Sequence, residues 1–224
     1  MRFRSRLQRK GLFSIALPVM ILILSGFQKS WALSIQSYTL DADGITCKCN
    51  TGVMKVKICK EDIVRVAYSP TTTIPERPLK VVTAQWETPQ FTKDESGDII
   101  TLQTSRIKIK VNKTNANITY TDLSDEVILS EYAKTANAVT VEGVSTHNFT
   151  GEFNSPADEG LFGLGQHMAG KVNYKGLTEV CDQDYGLRST AVSVLVSSRG
   201  YGIFWDTYAK VTFKGNLANN SRYS

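Results

Sequence analysis

The sequence predicts an all-β protein, most simply a β-sandwich of two packed sheets. Apolar and polar residues alternate with a period of two along most of the chain, which is typical of half-buried strands. No stretch of eleven or more residues keeps the 3.6-residue period of an amphipathic helix. Because each short strand has one apolar face, the strands must bury these faces against a second sheet. We expect one short exception, a single helical turn over residues 131–138.

Five runs carry the alternation most clearly. In chain order they are Met54–Ile58, Val64–Tyr68, Ile107–Val111, Val192–Val196 and Tyr201–Trp205. The third run alternates isoleucine and valine with basic residues, the pattern of a strand with one face in water. In the fourth run, Leu195 lies on the face opposite the three valines.

Glycine and Asx residues separate these runs and predict the turns. The turn segments are Asp41–Gly44, Asn50–Gly52, Asp94–Gly97 and Ser198–Gly200. The last segment joins two strongly β-forming runs and therefore predicts a hairpin. Four prolines between residues 70 and 89 predict a loop-rich connection over Thr71–Pro89.

The basic net charge belongs to the first 32 residues. The chain has 26 Lys+Arg and 21 Asp+Glu, a formal charge of +5. Residues 1–32 hold six of the basic residues and no acidic ones, which leaves 20 basic and 21 acidic residues in 33–224. We therefore expect no nucleic-acid partner, because phosphate binding needs basic side chains gathered on a folded face.

Residues 1–32 have the three parts of a secretory signal peptide. Met1–Lys10 carries positive charge, Gly11–Phe27 is an apolar run, and Ser30–Ala32 forms a small-residue cleavage site. We expect a mature domain over residues 33–224 that is secreted or periplasmic and has no membrane contact after cleavage. The alternative is an N-terminal membrane anchor, since 17 apolar residues are at the short limit for spanning a bilayer.

Four cysteines lie beyond the leader, at positions 47, 49, 59 and 181. Export would permit disulfides, and the spacing does not choose among the three possible pairings. Cys47 and Cys49 share a face on a strand, so they are not expected to pair with each other. Free buried thiols are the other interpretation. No metal or cofactor is expected, because a zinc site needs CxxC-type spacing and further ligands, whereas the spacing here is CxC and the chain has two histidines.

Two glycine-bearing motifs are interpreted as turns. Gly163–Met168 lacks the third glycine of a dinucleotide fingerprint and has no βαβ unit around it, so we expect a Gly-rich turn between strands. Asp41–Gly44 begins like a calcium loop but lacks the later ligands, so we expect a plain turn there.

The segment Glu179–Tyr185 places three carboxylates, an amide and a phenol within seven residues. Such groups suit hydrogen bonds to sugar hydroxyls, and the alternative is a solvated acidic loop. Asp182 and Asp184 are not expected to form a glycosidase pair. Two residues apart, they point the same way, whereas a retaining pair must face across the scissile bond.

Three segments together resemble a known family. They are SPADEGLFGLGQH at 155–167, VNYKG at 172–176 and LVSSRGYGIFWD at 195–206. In this order and spacing they resemble the N-terminal β-sandwich domain of glycoside hydrolase family 31, the α-glucosidase and α-xylosidase family. The similarity is closest to bacterial α-xylosidase-like members and covers roughly residues 36–215.

The resemblance implies a galactose-mutarotase-like sandwich beside a TIM barrel that carries both catalytic aspartates. It also implies α-linked glucoside or xyloside oligosaccharides as substrates, and sugar contacts from the loop that matches Asp182, Gln183 and Asp184. Ser193 stands where family members often have proline, which puts the length of this loop in doubt. About 190 residues cannot hold a sandwich and a barrel of about 250 residues. We therefore expect a non-catalytic N-terminal piece of an exported α-glycosidase, inactive alone, whose barrel is supplied in cis or in trans.

Two alternatives remain at this point. The domain could be a stand-alone carbohydrate-binding module, with Tyr174, Tyr185 and Trp205 stacking on sugar rings. It could also be a mutarotase-like enzyme, a reaction that needs a histidine acid and a glutamate base at the sugar. His147 and His167 are the histidines available for that role.

Overall fold

The computed structural model describes residues 33–74, 86–87, 89–167, 170–182, 189–207 and 209–224. These residues belong to one compact unit, Trp31–Ser224. All regular elements in the described ranges are β-strands, and every named pairing between them is antiparallel. The predicted signal peptide and most of the predicted loop at 71–89 lie outside the described residues. Within those ranges, no helix has the length and apolar character needed to cross a membrane.

The first sheet is a four-stranded meander. It contains β1 (Ile35–Asp41), β2 (Gly44–Cys49), β3 (Val53–Lys60) and β4 (Ile63–Ser69), paired in chain order. The predicted turns at 41–44 and 50–52 connect its first three strands. The sheet forms here because Met54, Val56 and Ile58 alternate with lysines, which gives β3 one apolar face and one face for water.

The second sheet continues the meander with four short strands and then two long ones. In chain order it contains β5 (Thr92–Ser96), β6 (Ile99–Gln103), β7 (Lys108–Asn112), β8 (Ile118–Thr121), β9 (Val127–Val141) and β10 (Val144–Asn154). Apolar residues of both sheets interlock in a first core, where Val56, Ile58, Leu102 and Ile109 are at most 1% exposed. This packing confirms the all-β sandwich and the alternation predicted for β3 and β7.

The last third of the chain builds a second layer and a second core. It contains β11 (Leu161–His167), β12 (Thr178–Cys181), β13 (Ser189–Ser197), β14 (Gly202–Phe204), β15 (Val211–Lys214) and β16 (Arg222–Tyr223). Strands β11, β13 and β14 form one sheet, β12 pairs with β15, and β16 pairs with β10. Leu161, Leu195, Phe213 and Tyr223 are the large side chains buried between them. The predicted hairpin at 198–200 joins β13 to β14.

Two local expectations are wrong. Residues 131–138 form no helical turn, because they lie in β9 and pair with β10 from Lys134↔Gly151 to Ala138↔His147. The predicted turn at 94–97 is mostly strand, because Asp94–Ser96 belong to β5 and pair with β6. In both places long pairing with a neighbouring strand overrides the weak local propensity of the sequence.

The glycine motif at 163–168 also differs from the expected turn. Gly163, Leu164 and Gly165 lie inside β11 as a bulge and have φ angles of 108°, 65° and 101°. A Cβ at Gly163 would lie 2.5 Å from the carbonyl oxygen of Val194, and one at Gly165 would overlap the carbonyl oxygen of Thr190. Glycine is therefore needed for β11 to approach β13 closely.

All four cysteines are free and buried. Cys47 and Cys49 lie on the inner face of β2 in the first core, whereas Cys181 lies in the second core. Burial raises the pKa of the Cys47 thiol to about 12, so this thiol stays protonated and behaves as a small apolar side chain.

Glu95 joins the two sheets at one edge of the sandwich. It lies on β5 and accepts a hydrogen bond from the hydroxyl of Tyr38 on β1. Its carboxylate also lies 2.7 Å from Lys113 Nζ and 3.2 Å from Lys93 Nζ. The hydrogen bond from Lys113, followed by those from Tyr38 and Lys93, lowers the pKa of Glu95 to about 2. The charges also protect β5 as an exposed edge strand.

A buried carboxylate holds the second layer together. Glu159 is 2% exposed and accepts hydrogen bonds from Ser155 Oγ at 2.6 Å, Ser197 Oγ at 2.5 Å and Tyr201 Oη at 2.6 Å. Tyr201 Oη lies 2.8 Å from Tyr223 Oη. This network joins the SPADEG segment to the end of β13 and to β16. It joins residues of the two resembling motifs at 155–167 and 195–206.

Replacement of Glu95 by glutamine should produce a pH-dependent loss of stability. The folded-state pKa of about 2 is below the ordinary value of 4.5, so the glutamate stabilises the fold above pH 4.5 and loses this effect as the pH falls towards 2. The difference in urea midpoint between wild type and Glu95→Gln should therefore shrink over that range. Asp94→Asn, which removes a charge with no ion pair among the described residues, is the control. An unchanged difference from pH 6 to pH 2 would contradict this assignment.

Replacement of Glu159 by alanine should lower the free energy of unfolding by about 3 kcal/mol, because two buried serine hydroxyls and the half-buried hydroxyl of Tyr201 lose their acceptor. The adjacent Asp158→Ala is the matched control, since the Asp158 side chain is 82% exposed and its change should cost at most about 0.5 kcal/mol. Urea unfolding of both variants measures the difference. Equal effects would show that the network does not stabilise the domain.

Candidate functional site

The predicted sugar-contacting loop begins at the end of β12. Asp182 follows Cys181, which pairs with Val211, and this register brings Asp182 next to Lys210. Asp182 Oδ2 lies 3.3 Å from Lys210 Nζ, and the two side chains are 50% and 60% exposed. Gln183 and Asp184 lie in the segment 183–188, outside the described residues. Asp182 is therefore the one predicted contact that the structure places.

The segment 183–188 connects two different sheets. It leaves β12, which pairs with β15, and leads into β13, which pairs with β11 and β14. The strands at both described ends of the loop adjoin the second core, since Cys181 is buried in it and Ala191 packs against it. The exposed carboxylate of Asp182 has more acceptor positions than one lysine can fill, so it can also accept hydrogen bonds from sugar hydroxyls.

His167 is a structural residue at the base of this region. Its side chain is 7% exposed, and its Nδ1 lies 3.3 Å from Glu179 Oε1 on β12. Its Nε2 lies 2.8 Å from the carbonyl oxygen of Leu164. Both ring nitrogens therefore contact groups of the domain itself, which ties β11 to β12. This arrangement does not present His167 and Glu179 to a sugar, as the mutarotase-like alternative requires.

The aromatic residues expected to stack on sugars are differently placed. Tyr174 is 3% exposed and belongs to the second core, so it cannot form a stacking platform. Trp205 is partly buried and packs against the same core. Tyr185 lies outside the described residues. In the parts of the chain that the structure describes, no group of three or more His, Cys, Asp or Glu side chains could hold a metal ion.

Two polar residues escaped the sequence-based predictions. Lys210 contacts Asp182 only because β12 pairs with β15 in the observed register, and a lone lysine gives no signal of that contact. Glu159 is the acceptor of the buried network, although it lies in an acidic turn that looks solvated in the sequence. Its position within a resembling motif was the one available signal.

Comparison with known proteins agrees with this geometry. Residues 53–213 match the family described as the glycosyl hydrolase 31 N-terminal galactose mutarotase-like domain. An α-xylosidase of Saccharolobus solfataricus is 29% identical over 122 residues, which are 50% of this chain and 16% of that protein. An isomaltosyltransferase of Sporosarcina globispora is 28% identical over 192 residues, covering 76% of this chain and 16% of that protein.

A solved structure shows the same fold. The crystal structure of a family 31 α-xylosidase from Xanthomonas citri superimposes with a TM-score of 0.71 at 29% identity, covering 77% of this chain and 19% of that chain. The present chain thus spans less than a fifth of the length of each of these proteins. The matching residues, the sandwich and the two joined motifs agree, and the chain therefore belongs to glycoside hydrolase family 31, as its N-terminal galactose mutarotase-like domain.

Proposed function

We propose that the chain is the non-catalytic N-terminal domain of an exported retaining α-glycosidase of the α-xylosidase or α-glucosidase type, acting in carbohydrate metabolism. The match over residues 53–213 is the observation that carries the proposal. The α-xylosidases that it resembles are about five to six times longer than the part that it covers. The catalytic barrel would come from that remaining length, in cis or as a separate chain.

The role of the domain is to support the barrel and to form part of the rim of the sugar pocket. The loop that begins at Asp182 supports this assignment, because it leaves the end of β12 with an exposed carboxylate at its start. Asp182, Gln183 and Asp184 would accept hydrogen bonds from an α-linked glucoside or xyloside oligosaccharide. Such contacts position the substrate without taking part in bond cleavage.

The leader supports export to a secreted or periplasmic location. It combines a basic start, an apolar run and a small-residue cleavage site, and residues 33–224 are nearly balanced in charge. Edman sequencing of the protein isolated from its source tests the cleavage directly. A mature N-terminus close to Leu33 supports export, and an intact N-terminus in the membrane fraction would mean an anchor instead.

A stand-alone carbohydrate-binding module is the second candidate. The burial of Tyr174 counts against it, because such modules use exposed aromatic faces as sugar platforms. Calorimetry of the chain with maltooligosaccharides and xyloglucan oligosaccharides decides the point. Heat of binding at millimolar sugar would favour the module, and no heat would favour the domain of a larger enzyme.

Antibodies raised against residues 33–224 should recover α-glycosidase activity from the source. We expect hydrolysis of p-nitrophenyl α-xyloside or α-glucoside by the immunoprecipitate and none by the purified 224-residue chain. Mass analysis of the precipitate then shows whether the barrel is in the same polypeptide or in a separate one. A precipitate without hydrolytic activity would refute the proposed function.

Replacement of Asp182 by alanine in the recovered enzyme should raise KM for an oligosaccharide substrate about tenfold, the effect of one lost charged hydrogen bond. The value of kcat should change less than twofold, since the residue does not touch the reacting atoms. Asp158→Ala, on an exposed turn elsewhere in the domain, is the matched control and should leave both parameters unchanged. An unchanged KM for Asp182→Ala would remove this residue from the pocket rim.

A further inference from the structure

The sheet β11–β13–β14 has an apolar outer face. Leu161, Leu195 and Ile203 point into the second core, so the alternate residues of the same strands point away from it. The three valines of β13 lie on this outer side, with Val192 43% and Val196 49% exposed. The valines of β13 therefore face solvent, and Leu195 on the other side of the strand contributes to the second core.

Cross-strand partners enlarge this face. Phe162 of β11 lies opposite Val196, and Phe204 of β14 lies opposite Val194. Phe204 is 45% exposed. Directly opposed residues of an antiparallel pair share a face, so two phenylalanines and three valines form one contiguous apolar surface. We call these five residues the valine face.

The strand positions around the valine face carry no charge, and the nearby Asp206, two residues beyond Phe204, is ion-paired with Arg65 of the first sheet. The other outward positions of the three strands are occupied by Gln166, Thr190 and Gly202. By contrast, the outer side of the first sheet carries Lys48, Lys55, Lys57 and Arg65. A contiguous, uncharged apolar patch on an exported protein marks an interaction surface.

The valine face adjoins the loop assigned to the sugar pocket. Segment 183–188 leads into β13 at Ser189, and Val192 lies only three residues further along the strand. A partner that receives this loop in its pocket therefore lies against the same sheet. The relatives supply such a partner, since more than four fifths of the length of each lies outside the matched part.

We propose that the valine face is the surface on which the catalytic part of the enzyme packs. This inference rests on the proposed function and adds to it the contact residues, with an apolar partner surface at the rim of the sugar pocket. Phe162 and Phe204 supply the large side chains of the contact, and the valines fill the space between them. Binding buries the valine face.

Hydroxyl-radical footprinting compares the immunopurified enzyme with the isolated 224-residue chain. The matched probes are Phe204 on the valine face and Phe149 on β10, which are 45% and 55% exposed. We expect Phe204 to be oxidised at least fivefold more slowly in the enzyme and Phe149 to change less than twofold. Equal oxidation of Phe204 in an active enzyme overturns this inference and leaves the proposed function standing. An inactive precipitate overturns both.

Charge insertion gives a second test in the full enzyme. In the isolated chain, the double variant Val196→Asp with Phe204→Asp should lower the urea midpoint only modestly, because about half of each side chain is already exposed. In the enzyme it should shorten the half-life of activity at a fixed elevated temperature at least tenfold. The control Val141→Asp with Val144→Asp changes two residues that are 56% and 66% exposed at the tip of the β9–β10 hairpin, and should have less than a twofold effect.

A second copy of the chain is the competing occupant of the valine face. Sedimentation velocity of the isolated chain detects such a dimer, and footprinting at high concentration locates it. A dimer that protects Phe204, together with an unprotected Phe204 in the enzyme, would assign the face to self-association and overturn the inference. A monomeric chain with exposed Phe204 supports it.

Discussion

The carboxylate of Glu159 is the constraint on which the second layer depends. It lies in a nearly water-free position and survives there because three hydroxyl groups donate to it. A charge so deeply buried is tolerated only when its hydrogen bonds are complete. Burial, and then the nearby Glu159, raise the pKa of Tyr201, so this phenol remains a donor. The network therefore requires the strands that carry its donors to be in one relative position.

Gly163 and Gly165 are also needed for this relative position of the strands. Gly163 and Gly165 let the bulged β11 approach the backbone of β13 where a side chain would clash. The bulge also sets which side of the sheet faces the second core. With Leu161 and Leu195 turned inward, the valines of β13 have to face outward.

Asp182 and the valine face flank segment 183–188 in the chain. The exposed ion pair of Asp182 with Lys210 marks the start of the loop, while the contact of His167 with Glu179 joins β11 to β12. The valine face begins where the loop ends. The proposed role beside a larger catalytic partner rests on these features. The outer side of the first sheet carries lysines and an arginine and is suited to contact with water.

The sequence by itself determined the fold class, the buried faces of β3 and β7, and the family. Alternation is a local property, so Met54–Ile58 and Ile107–Val111 show their buried faces without knowledge of their neighbours. Only the tertiary structure decided the rest. In the structure, residues 131–138 form a strand, and Leu195 rather than the valines of β13 lies in the core. Pairing between strands also brings Lys210 next to Asp182 and Ser197 next to Glu159. The physical reason is that strand pairing joins residues far apart in the chain, whereas the sequence pattern reports only the conformation of each strand.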